Sequence, residues 1–270
     1  RSFTTTVASL DNTRGQIIGN GSATLTSAGQ VTNADGLISA NGNLSITSAD
    51  LANTSTGTLK TATGIQSQAG SVTLNAQALT NTGSIYAAKD LSTTASSLNN
   101  TASLYAGGAQ TLTVTNAANN SGTIAAGKDL SVQAGSFSGT ATNVLAAGMA
   151  ADGKLTGTGA LTVNTTGAFQ SAGQVLATQG MGLTAASLNL AGSQTGTTAG
   201  DVSLTANSGD INTRNAQVST PGQLSITANS NATQKLDNSS GQLSGKQLQI
   251  RVGQLVNDHG AIEQTGTGQQ

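Results

Sequence analysis

Three short phrases, always in the same order, recur about every twenty residues along this chain. The first is apolar-x-Asn-Thr/Ser, as in Leu10-Asp11-Asn12-Thr13, Leu51-Ala52-Asn53-Thr54, Leu79-Thr80-Asn81-Thr82, Leu98-Asn99-Asn100-Thr101 and Leu236-Asp237-Asn238-Ser239. The second is Gly-x-Ile/Leu/Val, as in Gly15-Gln16-Ile17, Gly36-Leu37-Ile38, Gly57-Thr58-Leu59, Gly83-Ser84-Ile85, Gly122-Thr123-Ile124 and Gly173-Gln174-Val175. The third is apolar-Ser/Thr-apolar, as in Leu44-Ser45-Ile46, Leu112-Thr113-Val114, Leu130-Ser131-Val132 and Leu224-Ser225-Ile226. A unit this short cannot bury its own apolar face. It has to stack on its neighbours, so the chain is a solenoid whose function lies on surfaces.

Within each phrase the apolar residues alternate at i, i+2, the period of a strand and not of a helix. Each copy therefore holds two or three short strands separated by Gly and Asn corners. Hairpins would need two-residue turns between long alternating runs, whereas here the corners recur at a fixed phase and successive copies are equivalent. Winding each copy into one coil of a parallel β-helix sets like on like, and the preference of parallel crossovers makes the coil right-handed. The fold class is all-β, a right-handed parallel β-helix of about eleven or twelve coils forming a single segment over residues 1–270. An Asn falls two residues after the first apolar position at Asn12, Asn33, Asn53, Asn81, Asn100, Asn120, Asn238 and Asn257. Asn tolerates a left-handed corner, and stacked amides can hydrogen-bond from coil to coil, so these eight form a structural ladder.

The spacing of the second phrase locates interruptions. Ile17 to Ile38 and Ile38 to Leu59 are each 21 residues, Ile85 to Leu104 is 19, and Leu104 to Ile124 and Ile124 to Val144 are each 20, whereas Leu59 to Ile85 is 26 and Val144 to Val175 is 31. The surplus predicts loop excursions near 60–71 and 145–159. Copies near 192–200 and 228–235 are also ragged. Both ends cut a copy in mid-phrase, which reads as an internal fragment of a longer array.

The 270 residues are 36% hydrophobic, 8% charged and 2% aromatic, with a net charge of -1. Small polar residues suit a narrow interior with a backbone saturated by stacked strands. With no Cys there are no disulfides and no thiolate metal sites. No run reaches the roughly 18 apolar residues of a membrane span. Ten basic against eleven acidic residues, scattered singly, form no stripe for nucleic acid.

The Leu-x-Asn-Thr-x-Gly-x-Ile-x-Ala-x-x-x-Leu-x-Ile/Val phrasing, clearest in 79–93 and 31–46, resembles the haemagglutinin repeats of filamentous haemagglutinin and of contact-dependent growth-inhibition exoproteins. That resemblance implies a large exoprotein of Gram-negative bacteria, secreted to the cell surface through an outer-membrane two-partner transporter, whose repeats form a β-helix filament. Members of the family adhere to host cells and carbohydrate, or hold out a receptor-binding region and deliver a toxin. The role implied is a non-enzymatic filament segment, in adhesion or in presenting a toxin-delivery filament. The alternatives are a receptor-binding segment of a growth-inhibition exoprotein and, from another class, a carbohydrate-active β-helix enzyme.

Enzymes on parallel β-helices cluster carboxylates with Lys or Arg for acid/base work. Here the acids seldom share a phase in adjacent copies, and Lys89-Asp90 and Lys128-Asp129 read as turn charges. His259, the single histidine, lies beside Asp258 without further ligands. No catalytic residue, cofactor or stable metal is expected. Hydroxyl pairs such as Ser45/Thr47 and Thr113/Thr115 resemble an ice-binding array, but Ser and Thr are also what an exposed strand prefers. The second-phrase column Lys60, Tyr86, Tyr105, Ala125 holds both tyrosines of the chain, 19 residues apart like Ile85 and Leu104, so their rings stack outward on neighbouring coils. Tyr86, Tyr105 and Lys60 are therefore the candidate contacts for a host or bacterial cell-surface receptor or carbohydrate.

Overall fold

The computed structural model describes residues 2–57, 62–228 and 232–266. Thirty strands, every pairing between them parallel, build three strand columns running the length of a rod. Face 1 begins at Phe3–Val7 and carries the third phrase; face 2 begins at Leu10–Asp11 and carries the first; face 3 begins at Gln16–Gly19 and carries the second. Six long strands, among them Val72–Asn81 and Gln110–Asn120, turn a corner and serve faces 1 and 2 or faces 3 and 1. Each column therefore counts twelve segments, one per coil. At a parallel-strand spacing of about 4.8 Å, twelve coils make a rod roughly 55 Å long.

Register places each residue on its counterpart one coil away. Leu44 pairs with Val72, Val72 with Leu91, and Ile46 with Leu74. Alternation sends Leu44, Ile46, Leu112, Val114, Leu130 and Val132 inward, where each is at most 1% exposed. The core is a stack of aliphatic rungs with one aromatic exception: Phe137 and Phe169 stack at a centroid distance of 5.0 Å on face 2. They follow Ala118 in the same column, so a small rung makes room for a large one.

Polar side chains interrupt this chemistry on face 1, where Thr93 lies between Leu74 and Leu112 with its hydroxyl unpaired among the described residues, and Gln110 is the larger misfit. Gln110 sits between Leu91 and Leu130 in register, is 1% exposed, and neither of its amide atoms has a hydrogen-bond partner among the described residues. A buried, unpaired amide costs the folded state its desolvation penalty.

On face 2 the inward Asn side chains form a one-way relay. Each Nδ2 donates to the Oδ1 one coil further on, from Asn12 through Asn33, Asn53, Asn81 and Asn100 to Asn120, at 2.7 to 2.8 Å. The same nitrogens also donate to corner carbonyls, as Asn33 does to Gly36 and Gly64. Register then brings Gly139 under Asn120, with no side chain to continue. Asn143, four residues later, swings into the vacancy, accepting from Asn120 and donating to Ser171 at 2.9 Å. The next residue in the column is the buried Leu190, and there the relay stops. It resumes when Thr213 Oγ1 donates to Asn238, which donates to Asn257.

The corners differ from the sequence expectation in their backbone. The Asn residues are not the left-handed positions. Positive φ falls two residues later after Asn12, Asn33, Asn238 and Asn257, at Arg14, Asp35, Ser240 and His259, and likewise at Asn215 after Thr213, while the corners after Asn53, Asn81, Asn100 and Asn120 have none at that position. A second column, absent from the sequence reading, stands at the entrance to face 1. There a side-chain oxygen accepts the backbone N–H of the same position one coil on: Ser22 from Asn43, Asn43 from Ser71, Ser71 from Asp90, Asp90 from Ala109, Asp129 from Ala160, and Asp201 from Gln223.

Both excursions have other bounds than the spacing indicates, and the second begins three residues later. Gly64–Ser67 is already a face 3 strand, and Ile65 pairs with Ile85 in the inward position that the spacing gives to Leu59, which lies outside the described residues. The first excursion therefore precedes Gly64 rather than filling 60–71. Val144–Ala147 is likewise a strand, with Leu145 inward against Ile124 and Val175, and Val144 outward. Two extra corner residues after Gly139, the same ones that let Asn143 reach back, shift that strand by one. The chain leaves the coil at Gly148, in a left-handed conformation where an added Cβ would lie 2.0 Å from Thr178 Oγ1.

Replacing Gln110 by Leu should raise stability by roughly 1–3 kcal/mol, since it removes two unpaired buried atoms and matches both neighbours; urea unfolding followed by far-UV dichroism measures it. Asn143→Ala takes away the acceptor of one buried Asn120 N–H and the donor to Ser171, and should cost a similar roughly 1–3 kcal/mol. Adding Gly139→Asn to that variant should restore most of the loss. Gly139→Ala alone should destabilise, because its Cβ would fall 2.7 Å from Asn143 Cγ.

Candidate functional site

The outward positions of face 3 are small and polar along most of the rod, and the second excursion converts them into a groove. Met149 and Leu155 form an isolated antiparallel bridge, Ala150 N–H donates to the carbonyl of Lys154 at 2.8 Å, and Gly157 N–H donates to that of Gly148 at 2.9 Å. This closed loop lays Met149 over the outer surface. Met149, Ala125 and Ala146 are buried together there, with Tyr105, Val144, Leu155 and Leu176 packed against them. The cluster lies outside the coil and is separate from the main core.

Between this anchored loop and the coil is a groove of about 420 Å³. Its floor is one outward column on five successive coils, Ser84, Ser103, Thr123, Val144 and Gln174, paired in register. Tyr86 and Tyr105 line it two residues further along their strands, with ring centroids 5.9 Å apart and planes inclined by 15°. Met149, Ala150, Ala151 and Gly153 form the opposite wall. No charged side chain lines it. Burial, with smaller contributions from Tyr86 and Asp152, raises the Tyr105 hydroxyl pKa above its ordinary value, so it stays protonated and neutral. Asp152 and Lys154 pair with each other at 3.4 Å on the exposed tip of the loop.

Lys60 lies outside the described residues. The residue in register with Tyr86 on the preceding coil is Gln66, because Ile65 and not Leu59 occupies the inward position. The column is thus Gln66, Tyr86, Tyr105, Ala125.

Charge gathers at a second place, a groove of about 360 Å³ containing Asp210, Arg214, Lys235 and Asp237. Asp237 takes the side-chain and backbone hydrogen bonds of Ser239, at 2.7 and 3.1 Å, and faces Arg214 at 3.6 Å and Lys235 at 4.0 Å. Ser239 above all, then the two cations, hold its pKa below the ordinary carboxylate value against the opposing effect of burial. Asp210 accepts the backbone N–H of Lys235. Both carboxylates fasten corners, and a carboxyl with a depressed pKa is a poor proton donor near neutral pH. His259 contacts Asp258 at 2.8 Å at an exposed left-handed corner. Among the described residues no three His, Asp or Glu side chains form a group that could hold a metal.

The model of the haemagglutinin repeat matches residues 3–45, 138–206 and 197–270. The chain belongs to the haemagglutinin-repeat family. Over 120 residues, 44% of its length, it is 40% identical to the protein named toxin CdiA of Yersinia pestis. That stretch is 4% of the relative, so the chain spans only a small part of a much longer protein. No solved structure matches it.

Within this haemagglutinin-repeat segment, the tyrosine pair is identifiable from its spacing, but the other side of the groove is not. Met149 is one of two methionines and carries no periodic signal. The signal available in the sequence is the apolar run Tyr86, Tyr105, Ala125, Ala146 and Leu176 in one outward column.

Because the Asp237 pKa is lower folded than unfolded, its contribution to stability is present above the ordinary carboxylate value of about 3.9 and is lost as pH falls through the lower folded value. Melting temperature should therefore fall as pH is lowered from 5 to 2, and Asp237→Asn should flatten part of that fall while lowering stability at pH 7. An equally steep fall in the variant would remove Asp237 from the account.

Proposed function

We propose that this segment is a non-enzymatic length of filament in a large secreted exoprotein of the bacterial cell surface, exported through an outer-membrane two-partner transporter, and that it takes part in adhesion or in presenting a toxin-delivery filament to target cells. The observation that carries the shaft role is in-register parallel pairing on each of three faces through twelve coils, with slips only at the corners between faces. Such a body transmits position along its axis. Membership in the repeat family and the identity to toxin CdiA support a place within a long exoprotein. The carboxylates around Asp237 are engaged by the backbone and side chains of their own corners, which supports a structural rather than a catalytic role.

A second element of the reading concerns recognition. A shaft of equivalent coils offers the same surface everywhere, and specific contact favours the place where the repeat is broken. Tyr86 and Tyr105, half-buried beside the Met149 loop, supply contact area and hydroxyls at small entropic cost. We assign them as the contact for a cell-surface receptor or carbohydrate.

Replacing both tyrosines by Ser in the exoprotein should leave secretion, far-UV dichroism and melting of the segment nearly unchanged while weakening attachment to target cells about tenfold or more. Attachment that survives this change, and also survives removal of the Met149 loop, would make the segment a passive spacer.

A further inference from the structure

The outer-face groove has a periodicity that narrows what can occupy it. Its floor residues repeat once per coil, at about 4.8 Å, and the five positions from Ser84 to Gln174 span about 19 Å parallel to the rod axis. An occupant that sets one chemical unit on each floor residue must advance by close to that spacing per unit. An extended peptide advances about 3.3 Å per residue, with about 6.6 Å between side chains on one face, and drifts out of phase within two coils. A β-1,4-linked hexose chain is straight and advances by close to one coil per sugar, so one ring sits over each floor residue, with its two edges facing the floor alternately.

The lining chemistry agrees with the spacing. Ser84, Ser103, Thr123 and Gln174 offer neutral donors and acceptors on the floor, the two tyrosine rings and Met149 offer apolar flanks, and no lining side chain carries a charge. Sugars present this combination, hydroxyls at the rim and C–H groups on the ring faces. A volume of about 420 Å³ lies within the roughly 300–1,000 Å³ typical of small-ligand sites and leaves the remaining units to run on over open floor. A uronic acid or sulfated chain would place anions where no cation answers them, at a desolvation cost.

We propose that the groove between the Tyr86/Tyr105 pair and the Met149 loop binds a neutral β-1,4-linked oligosaccharide lying parallel to the rod axis, one sugar unit per coil. This names the ligand class for the contact surface assigned above and rests on that assignment. The loop is a fixed wall of the site: its hydrogen bonds and its own apolar cluster hold it in place before any ligand arrives.

The test is calorimetric titration of the 270-residue chain with β-1,4-linked glucose and N-acetylglucosamine oligomers of one to six units, and with oligogalacturonate of matching length. Neutral oligomers should bind with affinity that rises with length and levels at about four or five units, the extent of the floor; oligogalacturonate should not bind. Tyr86→Ser with Tyr105→Ser should weaken binding by about tenfold or more, whereas Tyr86→Phe with Tyr105→Phe should keep most of it, because the rings remain. Ala151→Trp, on the wall and exposed, should block the groove without altering far-UV dichroism. Absence of binding by both neutral series, binding indifferent to the Ser pair and to Ala151→Trp, or preference for the acidic chain would overturn the proposal. Cell attachment separates the two readings. Loss of attachment in the Ser pair without oligosaccharide binding leaves the contact surface standing and removes the sugar, and the opposite result leaves the sugar site and removes the adhesive role.

Discussion

Parallel stacking without offset is the constraint from which everything else in this molecule follows. Once each residue lies on its counterpart one coil away, a side chain's chief neighbour is whatever the sequence places about twenty residues earlier or later. A choice made at one position is judged against a column. Leucine on leucine closes the core, and Asn on Asn adds one amide hydrogen bond per coil. A misfit such as Gln110 between Leu91 and Leu130 has nowhere to find a partner. The same rule lets a chain with little apolar bulk enclose a core, because three strands per coil saturate the backbone and leave only a narrow interior to fill.

It also explains why the rod tolerates interruptions. The Met149 loop adds residues between one face 3 strand and the next face 1 strand, yet Leu130 still pairs with Leu161 and Leu145 with Val175. Departures are confined to corners, and a loop that leaves at a corner can fold back over the outer surface without disturbing a rung. Met149 does this by covering Ala125 and Ala146, which the coil alone would leave exposed. Insertion is the means by which a uniform shaft acquires a local feature.

The fold was largely legible because its signal is repetition, and repetition is a long-range statement written locally. The three phrases, their order and the inward residues of face 1 follow from period alone. Phase within a damaged copy did not. Leu59 lies 21 residues after Ile38 and Ile65 lies 20 before Ile85, so spacing favours one from each side, and the pairing of Ile65 with both Ile38 and Ile85 decides between them. Asn143 escaped notice because it lies four residues out of phase and reaches its column through space. The tyrosine pair could be found since it repeats. The Met149 wall, formed once, could not.

The polar relay on face 2 also has a sense of direction. Every amide in it donates toward the C-terminal end, so the local dipoles add, and each bond polarises the next. Leu190 is an insulating gap in that series: within this column the coils either side of it are joined by apolar contact and backbone bonds, with no side-chain hydrogen bond. In a structure whose cohesion is a sum over adjacent coils, such a gap divides the rod into two electrostatic blocks of unequal length, and places the seam between them near the third of the chain that follows the loop rather than at either end.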